Sequence, residues 1–546
     1  MKTAAPPTRR PAFRALAALA AAAAFTAQAH GLHEMESSSA IPKSWREVHA
    51  LLDTSAHNSR AATGQPLSTA LPSLGDAGEM TPLQERKLGD RIASELYRDP
   101  DYFDDPVIVQ WVDDIWQPLR QAARARGEMP QELDERYAWR VLLGREGQIN
   151  AFALPGGYFG LYLGMVSVVD TRDELASVMA HEMAHVTQRH IARMTGRQSR
   201  QAPLLLAGMI LGALAAGSNP QAGAAVITGG QAAMLQSQLN YSRDMEREAD
   251  RIGFGIHAQA GFSPWGVVGM FEKLQHASRL SDSGEWATLR SHPLTAERLA
   301  EAARRAPKTP RPALGSDLDL AQAQIAARAR VLSRPGVDKL RAWAAAAEGK
   351  PGQSAPQRIA ALYSAALAEA ELRNLPRARK LAARLPEAIG PDRPAAARQA
   401  RLLQADLALR AGDSAQAIAL LQAAPADASH RPEQLYLAQA ETAAGQARQA
   451  IARLQSWLTL QPEDGAAWQL LAAARRAQSQ PLHALRAEGQ AHLAWLDFSG
   501  AANRFRAAQD WISQHPDADP IESAIVDTRL RETQEQLRQQ QQEDKP

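Results

Sequence analysis

Residues 174–186 read ELASVMAHEMAHV, and within them His181-Glu182-Met183-Ala184-His185 is an H-E-x-x-H pentapeptide. Leu175, Val178, Met179, Met183 and Val186 recur at three- and four-residue spacing, with alanines between them and no Gly or Pro, so the pattern predicts a helix. On that helix His181 and His185 stand one turn apart on one face, where two imidazoles can meet one metal ion. Glu182, one residue on, projects beside the pair and can take a proton from metal-bound water without being a ligand itself. A catalytic zinc takes three protein ligands and keeps a position open for water. A third ligand therefore has to come from elsewhere.

Downstream, residues 241–250 read YSRDMEREAD, again compatible with a helix. Glu246 there supplies a carboxylate ligand. Asp250, one turn further, can accept the ring N–H of a ligating histidine and fix its tautomer. The two halves lie about sixty residues apart, in order and both on helices. Other histidines fit less well. Residues 33–37, HEMES, repeat the first letters of the motif but offer no second imidazole. His190, five residues past His185, lies off the metal-facing side, and it and His257 read as structural or surface residues. The chain has no cysteine, so no thiolate can be a ligand.

HEMAH followed by EREAD resembles the M48 family of zinc metallopeptidases. Asn150–Gly157, NAFALPGG, resembles that family's stretch ahead of the metal helix, as does Ser291-His292-Pro293 behind it. The match covers roughly residues 81–300. The resemblance implies one Zn2+ per chain on His181, His185 and Glu246, with Glu182 as the base. It also implies a site role for His292, which either polarises the substrate or caps the metal in a latent state. Together with the helical repeats described below, the chain is similar to periplasmic members of the family. These imply misfolded or stalled outer-membrane proteins as substrates and the β-barrel assembly machinery as a partner.

At 546 residues several domains are expected, and 45% hydrophobic content is enough to pack them. A net charge of +2 argues against a dedicated nucleic-acid binder. Lys2, Arg9, Arg10 and Arg14 precede a short apolar run, Ala15–Phe25, and an A-x-A site at Ala27-Gln28-Ala29, so residues 1–29 read as a signal peptide. The run is shorter than the ~20 residues a membrane anchor needs. Residues 30–80 read as a flexible lead-in.

The peptidase region, 81–305, opens with a helix over Thr81–Leu96. Thr81 caps it, Pro82 takes its first position and Gln84 completes a capping box. A second helix is expected over Pro106–Arg124, and strands at Tyr137–Leu143, Ala151–Leu154 and Phe159–Val169 around a Pro155-Gly156-Gly157 turn. The edge near Phe152–Leu154 can hold an extended substrate through main-chain hydrogen bonds. Between the two metal-site halves, 203–239 holds two apolar pieces, each too short to span a bilayer. They read as a buried helical hairpin, or as a flap for apolar, unfolded substrates that makes a peripheral membrane contact.

Residues 306–317 are Pro-rich and basic and read as a linker. Beyond them Gly412 precedes Ala417-Ile418, and Gly445 precedes Ala450-Ile451, an offset of 33; Ala484-Leu485 comes 34 later. This period resembles the tetratricopeptide repeat. About four to five helical pairs over 318–515 are expected to stack into a solenoid, and 516–546 to form a frayed or disordered tail. The fold expected is an α+β zincin-like metallopeptidase domain, mostly helical with a small sheet, followed by an all-α tetratricopeptide-repeat solenoid. A competing reading makes the chain mainly a chaperone or assembly factor. A third makes it a zinc hydrolase of some non-peptide substrate.

Overall fold

The computed structural model describes residues 80–195, 243–279, 286–305, 307–424 and 429–543. All belong to one of the chain's two compact units, Met80–Ala207 with Gln236–Pro546. The leader at 1–29, the lead-in up to residue 79 with its HEMES stretch, and the apolar pieces of 203–239 lie outside the described residues.

Helix α1 (Pro82–Arg98) starts as its sequence predicts. Thr81 Oγ1 accepts from the Gln84 amide at 3.3 Å and Gln84 Oε1 from the Thr81 amide at 2.8 Å. Helix α2 (Pro106–Ala125) is capped by Asp105 and buries Trp111, Ile115, Trp116 and Leu119. After α3 (Gln131–Arg136) come β1 (Arg140–Gly144), β2 (Ala151–Leu154) and β3 (Tyr158–Tyr162) in the order β1-β3-β2, with β1 parallel and β2 antiparallel to β3. The first strand begins at Arg140 rather than Tyr137 because Trp139 sits at φ 50°, outside strand geometry. Gly156 and Gly157 turn the chain between β2 and β3 at φ 70° and 81°, and a Cβ on Gly157 would stand 2.7 Å from Tyr137 Cβ.

The strand expected over Phe159–Val169 stops at Tyr162, and Leu163–Val168 is the short helix α4. Leu163, Met165 and Val166 are wholly buried. An unbroken apolar run carries no period that separates a buried strand from a buried helix. The outer edge of β1 is covered: the Phe103 amide donates to the Leu143 carbonyl at 3.0 Å, and the Arg145 amide to the Asp101 carbonyl at 2.8 Å. The outer edge of β2 pairs with no strand among the described residues.

Helix α5 (Arg172–Thr187) carries the pentapeptide and is capped by Thr171, whose hydroxyl accepts from the Glu174 amide at 3.1 Å. It is followed by α6 (His190–Thr195), α7 (Arg243–Gln259), α8 (Pro264–Arg279), α9 (Thr288–Ser291) and α10 (Ala296–Arg304). Helix α5 packs on α7 and α8. A Cβ on Gly253 of α7 would lie 3.0 Å from the Ala180 carbonyl oxygen and 3.1 Å from His181 Cα, so a glycine there lets α7 close on the metal helix.

The stretch read as a linker is tied down. Arg311 donates to Glu272 at 2.8 Å and Glu174 at 3.3 Å. Helix α11 (Asp317–Leu332) then starts on a Ser316–Asp319 capping box. Its Ala321, Ile325 and Ala329 join a core shared with Trp111 and Ile115 on one side and Leu402 and Tyr436 on the other. Helices continue from there through Glu543. The sequence period is visible in their turns. Arg373, Gly412, Gly445, Ser479 and Leu496 all sit at positive φ, 54° to 77°. At each turn the next residue's amide donates to the carbonyl five residues before it, as for Asp413 to Ala408 at 2.9 Å and Gln446 to Glu441 at 2.7 Å. Five residues after each of these positions stands a buried alanine: Ala378, Ala417, Ala450, Ala484 and Ala501. The tail is helical over Pro520–Glu543, with Val526 and Leu530 buried. No helix among the described residues is long and apolar enough to cross a membrane.

Candidate metal centre

Helix periodicity places His181 and His185 on the face of α5 that meets α7, and their Nε2 atoms stand 3.0 Å apart. Glu246, 1% exposed on α7, brings one oxygen 3.5 Å from His185 Nε2 and the other 3.4 Å from His181 Nε2. His292, just past α9, puts Nδ1 2.9 Å from Glu246 Oε1 and 3.4 Å from His181 Nε2. One donor atom from each of the four lies within 4.8 Å of all the others. Donors about 2.0–2.1 Å from a tetrahedral ion are about 3.3 Å from one another, and the separations here scatter around that value. The residues present therefore fit a metal ion. Three of the four are the ligands read from the sequence, and the fourth is the histidine that only the family resemblance brought in.

Glu182 is 4% exposed, with Oε1 3.4 Å from His292 Nε2. Burial pushes its carboxyl above the usual range, against the pull of His292 and His181 and of a hydrogen bond from the Ala153 backbone on β2. Its Oε2 is buried and has no hydrogen-bond partner among the described residues. A buried carboxylate beside a set of candidate metal ligands is placed to accept a proton from a bound water.

Asp250 accepts from His181 Nδ1 at 3.0 Å, as expected of a group that orients a ligand. Burial raises its pKa, but hydrogen bonds from Arg298 and His181 outweigh that and hold it at about 2. Burial likewise works against a charge on His181, yet Asp250 and Glu246 lift it to about 10. His185 is driven well below its ordinary value by burial and by the neighbouring His181 and His292. The sequence reading missed Arg298. It forks onto Asp250 at 2.6 and 2.9 Å, reaches Glu246 Oε2 at 2.7 Å and donates to the Pro293 carbonyl at 2.9 Å. It thus ties α7 to the loop that carries His292. The signal was an arginine six residues past His292, a spacing that means nothing until α10 folds back.

His257 is structural, as read. Its Nε2 meets the Asp173 carbonyl at 3.1 Å, and burial lowers its pKa to about 4. His190 is not off the metal side. Helix α5 ends at Thr187 and Arg189 turns the chain at φ 53°, so His190 swings back under His185, with the two Nδ1 atoms 2.8 Å apart. Extrapolating the helix phase past its end was the error. Beside His181 and Glu182 opens a cavity of about 70 Å³, whose apolar wall includes Val178, Phe254, Met270, Phe271 and Leu274.

The sequence profile of peptidase family M48 matches residues 112–306. The chain is 33% identical over 445 residues to the β-barrel assembly-enhancing protease of Escherichia coli K12, covering 78% of this chain and 85% of the relative. It is 31% identical over 422 residues to the Yersinia pestis protein of that name, covering 76% and 82%. It is 33% identical over 325 residues to a putative β-barrel assembly-enhancing protease of Vibrio cholerae, covering 58% of this chain and 63% of that relative.

Proposed function

Because the chain belongs to peptidase family M48, with the β-barrel assembly-enhancing proteases among its relatives, and is a metalloendopeptidase, we propose that it is an exported, periplasmic zinc enzyme. In this reading it removes misfolded or stalled outer-membrane proteins and assists the assembly of others. The observation that carries the reading is the meeting of His181, His185, Glu246 and His292, with Glu182 3.4 Å from His292, near a β2 edge that pairs with no strand among the described residues. Two imidazoles and a carboxylate suit zinc. Bound there, the ion would polarise the scissile carbonyl and acidify the attacking water.

The chain's own residues do the rest. β2 pairs with an extended peptide through main-chain groups, which makes recognition indifferent to sequence. The cavity behind Val178 and Phe271 takes an apolar side chain. Glu182 receives the water's proton on its unspent oxygen and passes it to the leaving amine. Asp250 holds His181 in one tautomer and orientation. His292 completes the donor set, so it would either cap a bound ion in a latent state or polarise the substrate. The helical array, read as tetratricopeptide repeats, docks the enzyme on the β-barrel assembly machinery.

The test is zinc content together with cleavage of an unfolded protein by wild type, Glu182→Gln and Glu246→Ala. Glu182→Gln is expected to keep zinc and lose cleavage by roughly 10²–10⁴-fold, and Glu246→Ala to lose both. A wild type that binds no zinc overturns the reading. The position of His292 also favours a second reading, an assembly factor that cuts rarely. It requires Glu182→Gln to support outer-membrane assembly in cells as well as wild type does.

A further inference from the structure

His190 has no place in the mechanism above, yet it is wholly buried against a proposed ligand. Its Nδ1 lies 2.8 Å from His185 Nδ1. Its Nε2 lies 3.1 Å from Glu248 Oε2, and Arg193 Nη1 donates to the same oxygen at 2.8 Å. The order of hydrogens along this line follows from its metal end. If His185 turns Nε2 to the metal, the proton of its neutral ring sits on Nδ1 and must be donated. His190 Nδ1 must then accept it, which leaves the His190 proton on Nε2, facing the Glu248 carboxylate. Every donor meets an acceptor in this arrangement.

The same logic operates on the other ligand, one link shorter. His181 Nδ1 meets Asp250 directly at 3.0 Å, and Arg298 anchors Asp250 as Arg193 anchors Glu248. Glu246, Glu248 and Asp250 alternate along α7, so one helix turn supplies a ligand and a carboxylate for each ligating histidine. Asp250 shares a face with Glu246 and reaches its imidazole alone. Glu248 points round the flank of α7 and needs an intermediary.

We propose that His190 and Glu248 are positioning residues that hold the His185 imidazole for the metal, His190 relaying the carboxylate to a ring it cannot touch. The inference rests on the proposed zinc site. Partners of this kind typically carry 10–100-fold of metal affinity.

The test measures zinc affinity of the full chain by chelator competition, with circular dichroism on the metal-free protein and the visible bands of the cobalt-substituted protein. His190→Ala and Glu248→Gln are expected to weaken zinc about 10–100-fold and shift the cobalt bands while the metal-free melting curve holds. His190→Gln is expected to recover most of the affinity, because its amide can accept from His185 and donate to Glu248. Should His190→Ala fail to fold, Glu248→Gln carries the test alone. Wild-type affinity in both His190→Ala and Glu248→Gln overturns the inference and leaves the zinc site standing. A wild type without zinc, and so no weaker in either variant, overturns the inference together with the reading it rests on.

Discussion

Two of the buried charge clusters among the described residues, around Arg328 and around His181, are composed differently. Arg328 of α11 is 1% exposed, and its guanidinium is surrounded by acceptors. It meets Asp105 at 2.9 and 2.6 Å, Asp406 at 3.1 Å, the Tyr436 hydroxyl at 3.2 Å and the Tyr363 hydroxyl at 3.4 Å. Burial opposes its charge, and Asp105, the two tyrosines and Asp406 outweigh the burial. Around His181 the balance differs: Arg298 serves Asp250 and one oxygen of Glu246, while donor atoms of His181, His185, Glu246 and His292 still converge within 4.8 Å. The first cluster carries its own cation. The second has Arg298 at its rim and, at its centre, a set of donor atoms that suits a bound cation. Burial of ionisable groups does not by itself mark a site; the test is whether the cluster completes itself.

The contrast can be broken experimentally. Arg328→Ala strips the cation from buried Asp105, leaves Asp406 only Arg410, and should destabilise the protein by about 3–5 kcal/mol, read as a fall in the urea midpoint, while zinc affinity stays put. A variant as stable as wild type would mean that the Arg328 cluster is dispensable. At the proposed metal centre the cation would be a bound ligand, so stability should follow its concentration. Zinc at a hundred times its dissociation constant should add about 2.7 kcal/mol, a chelator should remove it, and Glu246→Ala should respond to neither. The smallest change sharpens the comparison. Tyr436→Phe deletes one neutral acceptor while both carboxylates remain, and should cost only about 1 kcal/mol. A loss as large as that of Arg328→Ala would show that the hydroxyls, not the charges, hold the cluster.

These differences decide what the sequence could reveal. His181, His185, Glu246 and Asp250 were legible because each pair is spaced one helical turn apart, and a helix converts that spacing into a shared face. His292 was visible only through the resemblance, since a histidine before a proline has no period to betray it. His190 and Glu248 were hidden by the same rule that exposed the others: one lies past the helix end, the other between the residues that share the face. In the array, Gly412 and Gly445 announced the turns. Arg373, Ser479 and Leu496 occupy the same left-handed position without the residue that advertises it. Arg328 and Asp105 are 223 residues apart, a pairing that no local pattern encodes. The expected linker failed to separate two bodies for a related reason, since Ile325 lies beyond it and packs into the peptidase core.

The placement of Glu246, Glu248 and Asp250 on a single helix has a mechanical consequence. Three carboxylates on separate loops could be withdrawn independently, giving a site that degrades by stages. Set on one stiff rod, they share its degrees of freedom. A tilt of α7 about its close contact at Gly253 moves all three together relative to α5, so the centre is assembled or dismantled in a single stroke.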